Sequence, residues 1–169
     1  MGRFMNHKKW VVALALIATA LILTHLPVSE ADAAASASDF LIEGSTLTKY
    51  RGTDERVTIP DTVEVVGESA FENNQKVQLV VVPKSVKRMD AYVFWGCDNL
   101  EEVVLGKGLT AVDEYAFSGC TGLKQITIPE NVQSIDAQAF AGCTNLTDIY
   151  IPDTVTSIAD DAFLNCDNV

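Results

Sequence analysis

The stretch Leu123-Lys-Gln-Ile-Thr-Ile-Pro-Glu-Asn-Val-Gln-Ser-Ile-Asp-Ala-Gln-Ala-Phe-Ala-Gly-Cys143 is one copy of a unit that returns every 23 residues. Phe71, Phe94, Phe117, Phe140 and Phe163 keep that step, as do Cys97, Cys120, Cys143 and Cys166. So do Ile59, Val82, Leu105, Ile128 and Ile151, and again Val66, Met89, Val112, Ile135 and Ile158. Four columns in one phase constrain the fold severely. Each copy buries its apolar face against its neighbours, which makes the chain a repeat solenoid.

Five copies are expected, at 57–79, 80–102, 103–125, 126–148 and, in part, 149–169. Alternation such as Ile126-Thr127-Ile128 marks a strand, and Pro129 closes it, as Pro60, Pro83 and Pro152 do elsewhere. A second apolar pair, such as Val132 and Ile135, marks another brief extended piece. Asp136 then suits the N-cap of a single helical turn ending at Gly142. Strands of successive copies pair in parallel, and 23 residues leave no room for a full helix as well. The expected fold is therefore a β-rich coil with one short helical turn per copy. Asp90, Asp113 and Asp136 share the capping phase, and no calcium-loop spacing accompanies them.

The pattern Leu-x-x-Ile-x-Ile-Pro-x-x-Val-x-x-Ile-x-x-x-Ala-Phe-x-x-Cys resembles the leucine-rich repeat of BspA-like bacterial surface proteins, over about 57–169. Departures are Asn74 for Cys, Met89 for Ile, Val93 for Ala and Gly106 for Pro. The position where leucine-rich repeats usually carry asparagine holds Thr62, Ser85, Gly108, Asn131 and Thr154, so a full asparagine ladder is not expected there. The resemblance implies a secreted or surface-attached interaction module, often in adhesion or host contact.

Residues 1–33 read as a signal peptide. Arg3, His7, Lys8 and Lys9 precede an apolar run from Trp10 to Leu23, then Pro27 and small residues. Ala31-Asp32-Ala33 and Ala35-Ser36-Ala37 both offer cleavage sites, and retention of the leader as an anchor is the alternative. Residues 34–39 read as a disordered linker. Phe40-Leu-Ile-Glu and Thr46-Leu-Thr-Lys-Tyr50, joined through Gly44-Ser45, read as a β-hairpin, so 40–56 is the N-terminal cap. Export places the protein outside the cell, secreted or at its surface.

Charge and composition exclude several function classes. The formal charge is −11, and cleavage after Ala33 leaves nine basic and 21 acidic side chains, or −12. Such a balance argues against nucleic acid as a partner. His7 and His25 are the only histidines and both leave with the signal peptide, so no Ser–His or Cys–His pair can form. Zinc is not expected either, because no C-x-x-C occurs. The cysteines, in phase with the phenylalanines, read as free buried thiols filling one position in each copy, and disulfides between neighbouring copies are the alternative. The chain is therefore read as non-enzymatic, with no cofactor and no metal.

Function is left to side chains that face out. Tyr92 and Tyr115 share a phase, and Trp95 takes a position held elsewhere by Glu72, Ser118, Ala141 and Leu164, which suggests exposure. Exposed aromatics anchor protein or glycan partners. Lys84, Lys87, Arg88 and Lys107 form a basic spot on an acidic protein. On the strand face the outward column is Thr58, Val81, Val104, Thr127 and Tyr150, and its valines favour a contact surface. Asn145-Leu-Thr147 is a glycosylation sequon, meaningful in a eukaryotic source. Val169 falls where another strand would begin, so the last turn presents an open edge that invites end-to-end self-association. The expectation is an exported interaction module binding protein or glycan at the cell surface. The alternative is the N-terminal targeting module of a longer surface enzyme, truncated after Val169. A third reading is a structural fragment with no partner.

Overall fold

The computed structural model describes residues 35–169, and the signal peptide assigned to 1–33 lies outside them. The described residues wind into a coil of stacked turns, with one strand on each of two sides and consecutive β-turns on the third. The first side is a sheet of five strands in sequence order: β3 (Arg56–Thr58), β5 (Leu79–Val81), β7 (Glu102–Val104), β9 (Gln125–Thr127) and β11 (Asp148–Tyr150). All pairs in it are parallel with a register of 23, as in Val57↔Val80↔Val103↔Ile126↔Ile149.

The second side carries two-residue strands: β4 (Val65–Val66), β6 (Arg88–Met89), β8 (Ala111–Val112), β10 (Ser134–Ile135) and β12 (Ser157–Ile158). Here the ladder is interrupted. One sheet runs from the cap through β4 to β6, and a separate one joins β8, β10 and β12.

The third side differs from the sequence expectation. No helical turn forms at Asp136–Cys143, nor at its counterparts. The backbone makes successive β-turns, with Ala139 N donating to Asp136 O, Ala141 N to Gln138 O and Cys143 N to Phe140 O. Gln138 and Gly142 sit at φ +52° and +73°, and Ser69, Tyr92, Tyr115, Gly96 and Gly119 repeat this left-handed conformation. A left-handed residue every fourth position is incompatible with a right-handed helix. The alternate N–H groups go instead to the next turn of the coil: Phe94 N donates to Ala116 O and Phe117 N to Ala139 O, both at 2.8 Å. The capping role expected of Asp90, Asp113 and Asp136 falls with the helix. Asp90 accepts from Arg88 Nε at 2.6 Å, and among the described residues neither Asp113 nor Asp136 closes a side-chain hydrogen bond.

The interior is a set of ladders along the coil axis. Phe71, Phe94, Phe117 and Phe140 are fully buried, and with Phe163 their rings stack at centroid separations of 5.0–5.3 Å. Offset stacking at this spacing adds to the area each ring removes from water. The four cysteines are free thiols, and each Sγ–H donates to the phenylalanine carbonyl one turn back: Cys97 to Phe71, Cys120 to Phe94, Cys143 to Phe117 and Cys166 to Phe140, at 2.9–3.2 Å. Burial pushes the thiols of Cys97 and Cys143 up to about 12, so both stay protonated and unreactive at neutral pH.

At the N-terminal end, β1 (Phe40–Glu43) and β2 (Thr46–Tyr50) form an antiparallel hairpin about Gly44, whose φ is +63°. Thr46 and Leu47 of β2 then pair in parallel with Val65 and Val66, which puts Leu47 in the core. Tyr50 stacks on Phe71 at 5.0 Å and thereby starts the aromatic ladder. The stretch read as a disordered linker is ordered where it is described. Ala37–Asp39 forms a 3-10 turn, Ser36 N donates to Asp39 Oδ2 at 3.1 Å, and Arg51 N donates to Asp39 O at 2.8 Å.

Candidate functional site

The outward positions fall on all three sides of the coil. Nearly all lie in its second and third turns, residues 80–125. On the third side, Tyr92 and Tyr115 are stacked with rings 4.8 Å apart and 6° from parallel, and Trp95 meets Tyr92 edge-on at 6.4 Å. Trp95 is 40% exposed, and both tyrosines are half-buried. The β-turn explains this placement. Tyr92 and Tyr115 occupy its left-handed position, at φ +61° and +56°, which aims their side chains outward along one column. A bulky side chain is costly in that conformation, by about 1 kcal/mol, and asparagine or glycine would serve the backbone better. Stacking partly offsets that cost. Trp95's position is not uniformly exposed, because Ser118 and Ala141 are buried in it while Leu164 is exposed. Trp95 is exposed, as Glu72 and Ser118 suggested, although Ser118 is itself buried and the column sits at the edge of the core.

On the first side, Val104 is 42% exposed and Val81 beside it is half-buried. Tyr150, two turns further along, is separated from them by Thr127, and its hydroxyl donates to Glu130 Oε1 at 3.3 Å. Burial and the Glu130 carboxylate raise its phenol above the ordinary value. The structure thus keeps the valines and Tyr150 on one face without joining them, and neither reaches the aromatic cluster on the third side.

The basic residues gather at the corner between the first two sides. Lys84, Lys87, Arg88 and Lys107 are all exposed. Arg88 is paired with Asp90, its Nε 2.6 Å from the carboxylate. Further along the same corner an open groove is lined by Thr110, Glu130, Asn131, Gln133, Thr154 and Thr156.

Sequence reasoning missed one regular feature. Asn99, Asn145 and Asn168 each donate Nδ2–H to a carbonyl of the preceding turn, those of Gln75, Thr121 and Thr144, at 2.6–2.8 Å. This is a partial asparagine ladder just after the cysteine column, with Gly122 as its gap. The 23-residue spacing of these asparagines was visible in the sequence. Asn131, in the usual position, donates alone to Lys107 O at 2.7 Å. Among the described residues no cluster of side chains has the composition of a metal site, and no helix is long and apolar enough to cross a membrane.

Parallel ladders, buried apolar columns and short repeats define a leucine-rich-repeat solenoid. The chain belongs to the BspA-type leucine-rich repeat family, whose model matches six copies over residues 49–169. The match thus begins within the cap, where Tyr50 continues the aromatic column. Comparison with curated proteins returns no match. Among solved structures, a leucine-rich cell surface protein from Faecalibacterium prausnitzii is 34% identical, with a TM-score of 0.72 over 73% of this chain and 33% of that one. The T. pallidum leucine-rich repeat protein is 27% identical, with a TM-score of 0.77 over 80% of this chain and 69% of that one. The pneumococcal vaccine antigen PcpA shares the fold at 20% identity, with a TM-score of 0.66 over 75% of this chain and 33% of that one. The chain spans about a third of the Faecalibacterium protein's length.

Proposed function

We propose that this protein is an exported, non-enzymatic interaction module that binds a protein or glycan partner at the cell surface. The observation that carries this reading is the outward cluster of Tyr92, Trp95 and Tyr115. It is contiguous and partly exposed, and it stands on backbone that would accept smaller side chains at lower cost. Strained positions filled with bulky side chains are characteristic of recognition surfaces. Rigid aromatic rings offer large contact area with little entropy to lose, and they suit both protein hot spots and the flat faces of sugars. The relationship to bacterial cell surface proteins supports a location outside the cell.

With the leader removed, Trp95 is the single tryptophan, so its fluorescence reports on the cluster alone. Glycan arrays and host or bacterial surface proteins, titrated against the mature chain, should shift that emission for a true partner. Trp95→Ala combined with Tyr115→Ala is expected to weaken capture at least tenfold, about 1.4 kcal/mol, while the melting temperature stays nearly constant. Equal loss of folding and binding, or binding that survives the double substitution, overturns the reading.

A further inference from the structure

Several regular features of the coil lapse at one place, the corner where the second turn meets the third. The hydrogen-bonded ladder of the second side stops between β6 and β8. The Ser85 hydroxyl is buried without a hydrogen-bond partner. Gly106 stands where other turns have proline, and Gly108 where leucine-rich repeats usually place asparagine. A Cβ at Gly106 would collide with the carbonyl of Pro83, and one at Gly108 with those of Lys84 and Val86. Lys107, between these glycines, stands one 23-residue step from Lys84, so like charges occupy adjacent turns. Like charges on neighbouring strands are unfavourable unless something else neutralises them.

Opposite charges stand within the same columns. Asp61 is one turn from Lys84, Glu64 from Lys87 and Glu130 from Lys107. The fold closes such a pair elsewhere, with Lys124 Nζ 2.7 Å from Glu101 Oε2 across one turn. Yet among the described residues Lys84, Lys87 and Lys107 make no ion pair within 4 Å, and all three ammoniums face solvent. Departures from a repeat's internal consistency are expected where function overrides stability.

We propose that this corner docks a linear acidic polysaccharide, whose anionic groups meet Lys84, Lys87 and Lys107. Three features select that partner chemistry. Lysine offers a point charge with no fixed fork, and the one guanidinium present, Arg88, is held by Asp90, so the corner suits a repeated, diffuse charge better than a single bidentate anion. Arg88 and Tyr92 lie four residues apart in the same turn of the coil, so only the two-residue strand β6 separates the corner from the Tyr92–Trp95–Tyr115 cluster, a span that a long sugar chain can cross. The surrounding acidic surface, at −11 overall, confines a polyanion to this corner. The inference deepens the proposed function by naming a partner class, and it rests on that reading.

The test uses the mature chain with dextran sulfate, neutral dextran and poly-glutamate as probes, followed by Trp95 emission and by calorimetry. Dextran sulfate is expected to bind with an affinity that falls steeply with salt, and neutral dextran to bind far more weakly. Lys84→Ser, Lys87→Ser and Lys107→Ser together should reduce dextran sulfate affinity roughly tenfold or more and flatten the salt dependence, with the melting temperature preserved. An unchanged affinity in that triple variant overturns the proposal, as does equal binding of poly-glutamate, which would mean that charge alone is read. Trp95→Ala with Tyr115→Ala, measured alongside, separates the two readings. If it loses other partners while the wild type ignores dextran sulfate, the aromatic site stands and the basic corner does not.

Discussion

Asp113 shows how a repeat converts one ordinary side chain into a liability. Its carboxyl is half-buried, with the carboxylates of Asp136 and Asp90 in the same column. Burial first, and then those two charges, hold its proton affinity above the usual aspartate value. A carboxyl whose folded value is raised favours folding in its protonated form. That contribution is complete below the unfolded value and is lost as pH rises through the folded one. Asp113→Asn is therefore expected to raise the melting temperature at pH 7, with the gain shrinking as pH falls and the wild-type carboxyl takes up its proton. Thermal melts of both proteins across that range check it, and a gain independent of pH would contradict the electrostatic cause. The sequence placed Asp113 in a column and assigned it to capping, because Asp before a short apolar run is a good N-cap signal. What it could not display was the left-handed φ of Tyr115 two residues on, which removes the helix to be capped. Trp95 was legible for a different reason, since a large aromatic among small and polar residues at one phase stands out without any knowledge of the backbone.

At the scale of the element, the unit of stability is the column more than the strand. The strands have two to five residues, too few to stand alone, and each is held by neighbours in register above and below. Removing one ring from the phenylalanine column leaves a cavity flanked by two stacked neighbours. Phe117→Ala is expected to cost about 3–5 kcal/mol, read from denaturant melts, while Trp95→Ala at the outer position should cost far less. The inner columns were read directly from period and residue type. The break between β6 and β8 was not, nor was the close approach of Gly106 and Gly108 to the turn before, because a glycine in a sequence does not say what it lies against. The cysteine column was read as an apolar filler. Its second role, donating Sγ–H to a carbonyl one turn back, depends on a distance of 2.9–3.2 Å that only the assembled coil supplies.

For the whole molecule, the cap decides whether the first turn can exist in water. Tyr50 covers Phe71, Phe40 packs on Tyr50 in turn, and Leu47 closes Val66 from the side. Deleting residues 35–50 uncovers a fully buried ring and the edge of β4 together. Such a chain is expected to lose its cooperative unfolding transition and to elute in aggregated fractions on size exclusion. A truncated chain that remains monomeric and melts as the parent does would show that the hairpin is dispensable. The hairpin itself was visible as two β-rich runs about Gly44-Ser45, whereas its continuation of the aromatic stack was hidden by spacing: Tyr50 stands 21 residues before Phe71, off the 23-residue step.

The gap between β6 and β8 also bears on how the coil breathes. A stack of turns linked by uninterrupted ladders frays from its ends inward. Here the seam at residues 89–111 supplies an interior boundary, on one side of the coil only, with the five-strand sheet continuous opposite it. That arrangement is a book with an intact spine and one slit in its fore-edge. Amide protons flanking the slit should exchange sooner than their counterparts between β8 and β10, and the two blocks can flex against each other about the continuous sheet. The basic corner lies at the lip of that slit, so a long ligand bound across it would act as a clasp.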